Sequence, residues 1–378
     1  MECATETARA PRSATLMVHL LGRCNLTCQH CYMGGAPTRR ELLPADLVIR
    51  ALGECASLDI GTLFLTGGEP LLYRGLADVL LAAARDPGLR ITVCTNATLV
   101  RQRHATLLRE VGARANISVD GEPAFHDRFR RLEGAFALTE RGIRTLLDAG
   151  IEVEIVMTVS RGNRHSVAGM VEWAAERGVV ELRVQPLLRL GRGLEIADQC
   201  LTTPQLNELL LELSDLTNRY RTRNFKCSVV GTSKRFLLAH PCGAYVCNGL
   251  GCHRRVAREI KKVVVREDGT ILPEITNLSH EFAIGHITDG PLSLQLRRFI
   301  EGDGYARFDD LCRRTYADVL PDWDSPVVPW DQIVAERSHT RFDHAPSANV
   351  ASDVDCSLGS CSGGVASRTN RTESETTL

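Results

Sequence analysis

The sequence predicts an α/β fold, a partial (β/α)6 barrel of parallel strands followed by a small C-terminal domain and a disordered tail. Short apolar runs and amphipathic helical patterns alternate six times from about Thr15 onward, which is the order that builds a parallel sheet. The composition, 44% hydrophobic and 24% charged, is that of a globular chain with a buried core. Because no run of 18 apolar residues occurs, we expect no segment that spans a bilayer.

Each predicted strand is a short apolar run, and each predicted helix has an apolar stripe at helical spacing. The strands are Leu16–Leu21, Gly61–Thr66, Ile91–Thr95, Ala115–Val119, Glu152–Val159 and Val180–Gln185. The helices between and after them are Pro44–Leu58, Gly75–Ala84, Arg101–Val111, Thr139–Ala149, His165–Arg177 and Pro204–Tyr220. In such folds the working residues lie at the C-terminal ends of the strands, so we expect the site there.

The composition changes after the last of these helices. Five cysteines fall between residues 225 and 320, together with a predicted hairpin, Val263–Val265 and Thr270–Leu272, that turns at Asp268-Gly269. From Ser347 the chain is rich in Ser, Thr, Gly and Asn, which predicts disorder. The predicted division is an N-terminal arm (1–14), the barrel (15–222), a second domain (223–325), an extension (326–346) and a disordered tail (347–378).

Charge and cysteine content restrict the class of protein. With 45 Lys plus Arg against 46 Asp plus Glu, the chain has no overall attraction to nucleic acid or to anionic membranes, so we predict neither as a partner. The N-terminus lacks a basic region followed by an apolar core, so we predict no secretory signal and a cytoplasmic location. The fourteen cysteines are therefore interpreted as metal or redox ligands rather than a disulfide framework.

The strongest signal is a group of three cysteines, Cys24, Cys28 and Cys31, directly after the first predicted strand. Three thiolates can bind three corners of a 4Fe–4S cube and leave one iron open to a cofactor. Zinc is the alternative, but a structural zinc site needs four ligands, and His30, between two of the cysteines, is poorly placed to serve the same ion. Ordinary free thiols are the remaining interpretation.

This spacing resembles the CxxxCxφC motif of the radical S-adenosylmethionine superfamily, with His30 at the aromatic position. The resemblance covers about residues 15–222 and implies a 4Fe–4S cluster whose open iron binds the amino and carboxylate groups of S-adenosylmethionine. It further implies reductive cleavage of a carbon–sulfur bond. The resulting 5′-deoxyadenosyl radical would take a hydrogen atom from the substrate. In such enzymes the cofactor carries the chemistry and the protein orients it.

Further motifs of that family follow at later strand ends. Gly67, Gly68 and Glu69 match its GGEP motif, whose role is to hold the methionine amino group, and glycines let the backbone approach a ligand closely. Asn96 matches a TNG segment, with Ala97 in place of the glycine, and is assigned to the ribose. A turn or a helix cap is the alternative for Asn96. The resemblance also places Tyr32, directly after the last cysteine, among the cofactor-binding residues.

The ends of the later strands resemble the SPASM-type subgroup, which has SxDG and then HDxxR. The resemblance implies that Ser118 binds the ribose or carboxylate and that Arg130 pairs with the methionine carboxylate. Arg128 is a competing candidate for that pairing. Gln185, at the end of the sixth strand, is assigned to the edge of the adenine.

A second group of cysteines is the basis for an auxiliary cluster. Glycines separate Cys242, Cys247 and Cys252, which are five residues apart, and Cys312 follows later. The order resembles the SPASM or twitch extension, which implies one auxiliary 4Fe–4S cluster with these four thiols as ligands. Glu274 stands where the extension has a cysteine, and is a candidate oxygen ligand. Structural zinc is the alternative.

The remaining cysteine of that region, Cys227, is a candidate hydrogen-atom donor by elimination, since it stands outside the glycine-rich cluster. A small buried hydrophobic residue is the alternative for this position.

The resemblance leaves three classes of function. The first is modification of a ribosomally made peptide by epimerisation, crosslinking or oxidation. The second is a radical epimerase or dehydrogenase for a sugar or antibiotic intermediate, which the short N-terminal arm favours because it leaves no room for a leader-binding domain. The third is a non-catalytic iron–sulfur scaffold or electron carrier. Expected partners are a flavodoxin- or ferredoxin-type electron donor and a separate leader-peptide-binding protein.

Overall fold

Seven consecutive parallel strands make up most of a ten-stranded sheet in this computed structural model, which describes residues 12–220, 225–239 and 260–339. The parallel strands are β1 (Ala14–His19), β2 (Ile60–Thr66), β3 (Arg90–Thr95), β4 (Arg114–Ser118), β5 (Val153–Val159), β6 (Glu181–Pro186) and β7 (Lys226–Val229). They lie side by side in sequence order. The predicted α/β class with a parallel sheet is confirmed. The predicted disordered tail lies outside the described residues.

The helices that connect these strands cover the outer face of the sheet. They are α1 (Ala45–Gly53), α2 (Leu76–Ala83), α3 (Gln102–Glu110), α4 (Pro123–Arg130), α5 (Ala135–Asp148), α6 (Val167–Glu176) and α7 (Thr203–Tyr220). The six predicted strands and six predicted helices are present, but α1 ends five residues earlier and α5 begins four residues earlier than predicted. The sequence-based assignment missed α4, an eight-residue helix that begins at Pro123 and carries the HDxxR residues.

Strand register separates an inner, polar row of side chains from an outer, apolar one. Ile117 pairs with Ile155, Ile155 with Leu182, and Leu182 with Cys227, and all four are buried. The neighbouring row contains Ser118, Val156, Arg183 and Ser228. Since side chains alternate between the two faces of a strand, these rows face opposite sides of the sheet.

The C-terminal part completes the sheet and packs beside it. It contains β8 (Thr232–Ser233), α8 (Lys234–Ala239), β9 (Lys262–Val265), β10 (Thr270–Pro273), β11 (Gly285–His286), α9 (Leu292–Glu301), α10 (Asp303–Val319), β12 (Val327–Val328) and α11 (Trp330–Ser338). The predicted hairpin is present as β9 and β10. It joins the main sheet, because β9 lies parallel to β1. Strand β10 is antiparallel to β9, and β11 is antiparallel to β10. The turn needs glycine, since Gly269 has a φ of +90°.

One contact fastens this C-terminal part to the barrel helices. The carboxylate of Glu54, at the end of α1, accepts hydrogen bonds from the backbone N–H groups of Leu292 at 2.7 Å and Ser293 at 2.9 Å. Glu54 therefore caps the first turn of α9 from a distant point in the sequence. Within the described ranges, none of the helices combines the length and apolar character needed to cross a membrane.

Candidate active site

The three cysteines of the first group lie on the loop that leaves β1. Cys24 and Cys28 are 8% and 9% exposed, and Cys31 is half-buried. Burial raises the pKa of Cys24 to about 12 and that of Cys28 to about 11, so both are protonated thiols near neutral pH unless a metal binds. The backbone N–H of Leu26 approaches the Cys24 Sγ at 3.4 Å.

The donor set fits a multi-iron cluster better than a single ion. No three His, Cys, Asp or Glu side chains within the described ranges are arranged to hold one metal ion. A 4Fe–4S cube takes one thiolate at each iron, so its ligands need not converge on one point. Cys24, Cys28 and Cys31 are the residues that would hold such a cluster.

The glycine pair of the GGEP motif lies directly against the cysteine loop. The backbone N–H of Gly68 donates to the Leu21 carbonyl at 2.6 Å, and that of Glu69 donates to the Arg23 carbonyl at 2.9 Å. Gly67 has a φ of +141°, and a Cβ on Gly68 would lie 2.1 Å from the Arg23 oxygen. Only glycine allows this approach, so the motif fixes the cysteine loop against the end of β2.

Glu69 joins the ends of two neighbouring strands. It is fully buried, and its carboxylate accepts hydrogen bonds from the Thr95 hydroxyl at 2.6 Å, the Asn96 N–H at 2.9 Å and the Leu71 N–H at 3.1 Å. Burial raises the pKa of Glu69, and these hydrogen bonds oppose that rise. The carboxylate is thus held by three protein donors, and its contact with a methionine amino group stays a prediction.

The amide of Asn96 is also held by the protein. Its Nδ2 donates to Asn25 Oδ1 at 3.0 Å, and its Oδ1 accepts from the Thr98 N–H at 2.9 Å and hydroxyl at 2.6 Å. The Nδ2 also lies 3.9 Å from the Cys24 Sγ. Ala97, where the family has glycine, has a φ of +58°, which accounts for the glycine preference at this turn. A role for Asn96 at the ribose stays a prediction.

Arg130 and Asp120 form a buried ion pair at the side of the cysteine loop. Arg130 Nη2 lies 2.8 Å from Asp120 Oδ2, and Asp120 Oδ1 accepts from the Thr158 N–H at 3.0 Å. Burial alone would raise the pKa of Asp120, but the charge of Arg130 lowers it overall. The Nε of Arg130 has no hydrogen-bond partner among the described residues, so one buried donor is left for a carboxylate ligand.

His30 fills the aromatic position of the motif as a neutral ring. It stacks on Phe129 with ring centroids 4.2 Å apart and an interplanar angle of 18°. Burial lowers the pKa of His30 to about 4, so the ring is uncharged at neutral pH. Its Nε2 lies 3.5 Å from Asp120 Oδ2, which links the cysteine loop to the ion pair.

Tyr32 and Gln185 line the same cavity, a chamber of about 370 Å³. The barrel contributes these two residues and Met17, while the C-terminal part contributes residues such as Lys262 and Asn277. The chamber therefore lies beside the cysteine loop, between the barrel and the C-terminal part. Ser118 is half-buried at the end of β4, on the inner row.

The role of Cys227 as a hydrogen-atom donor stays a prediction, and the surroundings of this residue favour the alternative. Cys227 belongs to the outer row of β7, and its thiol contacts Thr217 of α7. Its neighbour Ser228 faces inward and donates to Glu181 at 2.6 Å. A donor must meet a substrate at the inner face, so the geometry supports the alternative, a small buried hydrophobic residue.

The structure bears only partly on the auxiliary ligands. Cys242, Cys247 and Cys252 lie outside the described residues. Cys312 lies on α10, fully buried in the hydrophobic core, and its ligation stays a prediction. Glu274 is buried with a φ of +60°, and its carboxylate accepts hydrogen bonds from the N–H groups of Lys261 and Lys262.

Sequence reasoning missed two polar residues of the site. Asn25 donates to the Thr98 hydroxyl at 2.9 Å, and Arg192 donates to the Cys28 carbonyl at 2.8 Å. Asn25 stands inside the cysteine motif, and Arg192 stands between two glycines, which was the available signal for each.

Three curated relatives match this chain in sequence. An AdoMet-dependent heme synthase of Nitratidesulfovibrio vulgaris is 36% identical over 50% of this chain and 52% of its own length. The sporulation killing factor maturation protein SkfB of Bacillus subtilis is 30% identical over 49% of this chain and 45% of its own. A probable GTP 3′,8-cyclase of Methanothermobacter thermautotrophicus is 30% identical over 55% of this chain and 69% of its own. The match thus spans about half the length of the first two proteins.

Two solved structures share the fold over most of the chain. Streptococcus suis SuiB bound to the precursor peptide SuiA has a TM-score of 0.63 at 16% identity, covering 79% of this chain and 67% of SuiB. The enzyme anSMEcpe with bound AdoMet and Kp18Cys peptide has a TM-score of 0.61 at 17% identity, covering 86% and 95%. The family model of the radical SAM superfamily matches residues 18–174, which include the cysteine loop and the strand ends around it. Together with this geometry, these matches show that the chain belongs to the radical SAM superfamily.

Proposed function

We propose that this radical SAM enzyme modifies a ribosomally made peptide, by cleaving S-adenosylmethionine and taking a hydrogen atom from an unactivated carbon of the peptide. The observation that carries the proposal is the chamber beside Tyr32, whose walls come from both the barrel and the C-terminal part. The folds of SuiB and anSMEcpe match most of this chain, and both proteins are described with peptides bound. SkfB, a maturation protein, supports the same class of substrate.

The chain offers a consistent set of groups for the cofactors. Cys24, Cys28 and Cys31 would hold the 4Fe–4S cluster, which when bound supplies the electron that cleaves S-adenosylmethionine. The Nε–H of Arg130 has no hydrogen-bond partner among the described residues and would donate a charge-assisted hydrogen bond to the methionine carboxylate. Asp120 fixes that guanidinium in place. Gly67, Gly68 and Glu69 would lie near the methionine amino group, as the matching GGEP motif implies.

The chamber has the mixed lining that a peptide requires. Lys262 Nζ lies 3.0 Å from Asp331 on one wall, and Asn277 adds an amide. Leu188 and Leu190, both partly exposed, add apolar surface. Amides and paired charges can bind backbone groups, while apolar surface receives a side chain. The C-terminal part would thereby select the residue that is presented to the cofactor.

The second cysteine group supports a further element of the proposal, one auxiliary 4Fe–4S cluster held by Cys242, Cys247, Cys252 and Cys312. Such a cluster suits an oxidative outcome, since it can accept the second electron. Ala substitution of Cys24, Cys28 and Cys31 together tests this assignment. Retention of about four iron atoms supports the auxiliary cluster, and complete loss of iron contradicts it.

We also propose a location and an electron donor for the enzyme. Thiolate-bound clusters persist in a reducing compartment, so we propose a cytoplasmic location and a flavodoxin- or ferredoxin-type electron donor. A separate leader-peptide-binding protein would present the substrate.

A tetrapyrrole is the second candidate substrate, because the heme synthase relative is 36% identical to this chain. That match covers 50% of this chain and 52% of the relative, so it supports a tetrapyrrole substrate only through part of each protein.

Turnover assays on anaerobically reconstituted full-length protein separate these possibilities. Reduced protein with S-adenosylmethionine should form 5′-deoxyadenosine, and failure to form any would favour a non-catalytic iron–sulfur protein. Short peptides encoded beside the gene, and iron-coproporphyrin in parallel, then test the substrate. Solvent deuterium at one peptide carbon indicates epimerisation, whereas loss of two hydrogens indicates oxidation or crosslinking. Turnover of the porphyrin alone would refute the peptide proposal.

A further inference from the structure

A short segment after β6, Gly191-Arg192-Gly193, lies against the cysteine loop. The backbone N–H of Arg192 donates to the Cys31 carbonyl at 3.0 Å. Its side chain donates from Nε to the Cys28 carbonyl at 2.8 Å and from Nη2 to the Gly35 carbonyl at 2.9 Å. A single residue therefore binds three carbonyls spread along the loop that carries the cluster ligands.

The glycine before the arginine makes this contact possible. Gly191 has a φ of +55°, and a Cβ at this position would lie 2.4 Å from the Tyr32 oxygen and 2.6 Å from the Cys31 oxygen. Both neighbours are backbone atoms that cannot turn aside. A side chain at residue 191 would therefore push the segment off the loop.

The two cations near Cys28 differ in their surroundings. Arg130 is paired with the carboxylate of Asp120, so its charge is largely neutralised. Arg192 binds carbonyls, and within the described ranges it forms no ion pair. The Arg192 Nε donates to the Cys28 carbonyl at 2.8 Å, so its charge lies beside a residue that would bind the cluster.

We propose that Arg192 is a positioning residue for the iron–sulfur centre. Arg192 holds the Cys28–Cys31 part of the loop, and it supplies an unpaired positive charge that favours the reduced cluster. Reduction adds one electron, and hence one negative charge, which an external reductant such as dithionite provides. A nearby cation stabilises that added charge. The inference rests on the radical SAM centre and requires no particular substrate.

Two properties measured without a peptide or porphyrin substrate test the two parts of the proposal. The rate of iron release from reconstituted full-length protein to a ferrous chelator reports how firmly Arg192 holds the cysteine loop. An EPR-monitored redox titration, following the signal that changes on addition of S-adenosylmethionine, reports on the charge. The variants are R192Q, which removes the charge, and R192K, which keeps it with fewer donors. R189Q is the matched control, since Arg189 precedes the segment, is 53% exposed and pairs with Glu336.

R192Q should release iron about tenfold faster, which corresponds to the loss of one charge-assisted hydrogen bond, and its midpoint potential should be more negative. R192K should also release iron faster, with a potential close to that of the wild type. R189Q should match the wild type in both. Iron retained by the variant lacking Cys24, Cys28 and Cys31 is subtracted from every release curve.

Equal release rates and potentials in R192Q and R189Q would overturn the proposal. An equal fall in potential in R192K and R192Q would refute the role of the charge. If R192Q is not recovered folded, R192K decides the matter, since an unchanged release rate in that variant contradicts the positioning role.

Discussion

The contact between Gly68 and the cysteine loop makes a quantitative prediction for Gly68→Ala. The added Cβ would lie 2.1 Å from the Arg23 carbonyl oxygen, against the roughly 3.5 Å of an ordinary non-bonded contact. Because the obstructing atom is backbone, the two loops must separate by about 1 Å. A displacement of that size at a reacting centre costs on the order of 100-fold in rate.

The assay is formation of 5′-deoxyadenosine by reduced, reconstituted protein, together with its iron content. Gly68→Ala should lower the rate about 100-fold while the protein stays folded, since overpacking of this kind costs about 1–3 kcal/mol of stability. Gly53→Ala and Gly169→Ala are matched controls, because a Cβ at either position meets nothing within 4 Å. If Gly68→Ala retained wild-type activity, the argument that glycine is required for loop contact would be refuted.

Three further predictions concern stability, each measured by chemical denaturation. Glu54→Ala should lower the free energy of unfolding by about 1–2 kcal/mol, because α9 loses its cap, and an unchanged value would show that the contact adds nothing. Asp120→Asn should lower it by roughly 3 kcal/mol in the apoprotein, because Arg130 is left buried without its partner, and adding Arg130→Met should recover part of the loss. Burial raises the pKa of Glu274 from 4.5 to about 7, so the folded state holds this proton more tightly than the unfolded chain. Stability relative to Glu274→Gln should therefore fall, by about 3 kcal/mol in total, between pH 4.5 and 8, and parallel pH profiles would contradict this.

Local patterns in the sequence predicted most of the barrel. The apolar runs of β1 to β6 and the stripes of their helices depend on neighbouring residues, so short-range reasoning found them. The spacing of Cys24, Cys28 and Cys31 likewise located the site. The short helix α4 was missed, because eight mostly polar residues give no clear apolar stripe.

Features that depend on distant partners could not be predicted. The contact of Glu54 with α9 joins residues far apart in the sequence, and neither end carries a local signal of it. The face of β7 that carries Cys227 depends on register, which the sequence alone does not show. Side chains on a strand alternate, so Cys227 and Ser228 face opposite sides, and only the pairing with Leu182 and Arg183 shows which one faces inward.

The pairing of β1 has a consequence for the order in which the protein is assembled. One edge of β1 is satisfied by β2 soon after both strands are synthesised, but the other edge pairs with β9, which leaves the ribosome about 250 residues after β1. The strand that leads into the cysteine loop therefore stays half exposed during most of translation. Because β9 is needed to complete the sheet beside the cysteine loop, iron–sulfur delivery is expected to follow the emergence of β9 from the ribosome.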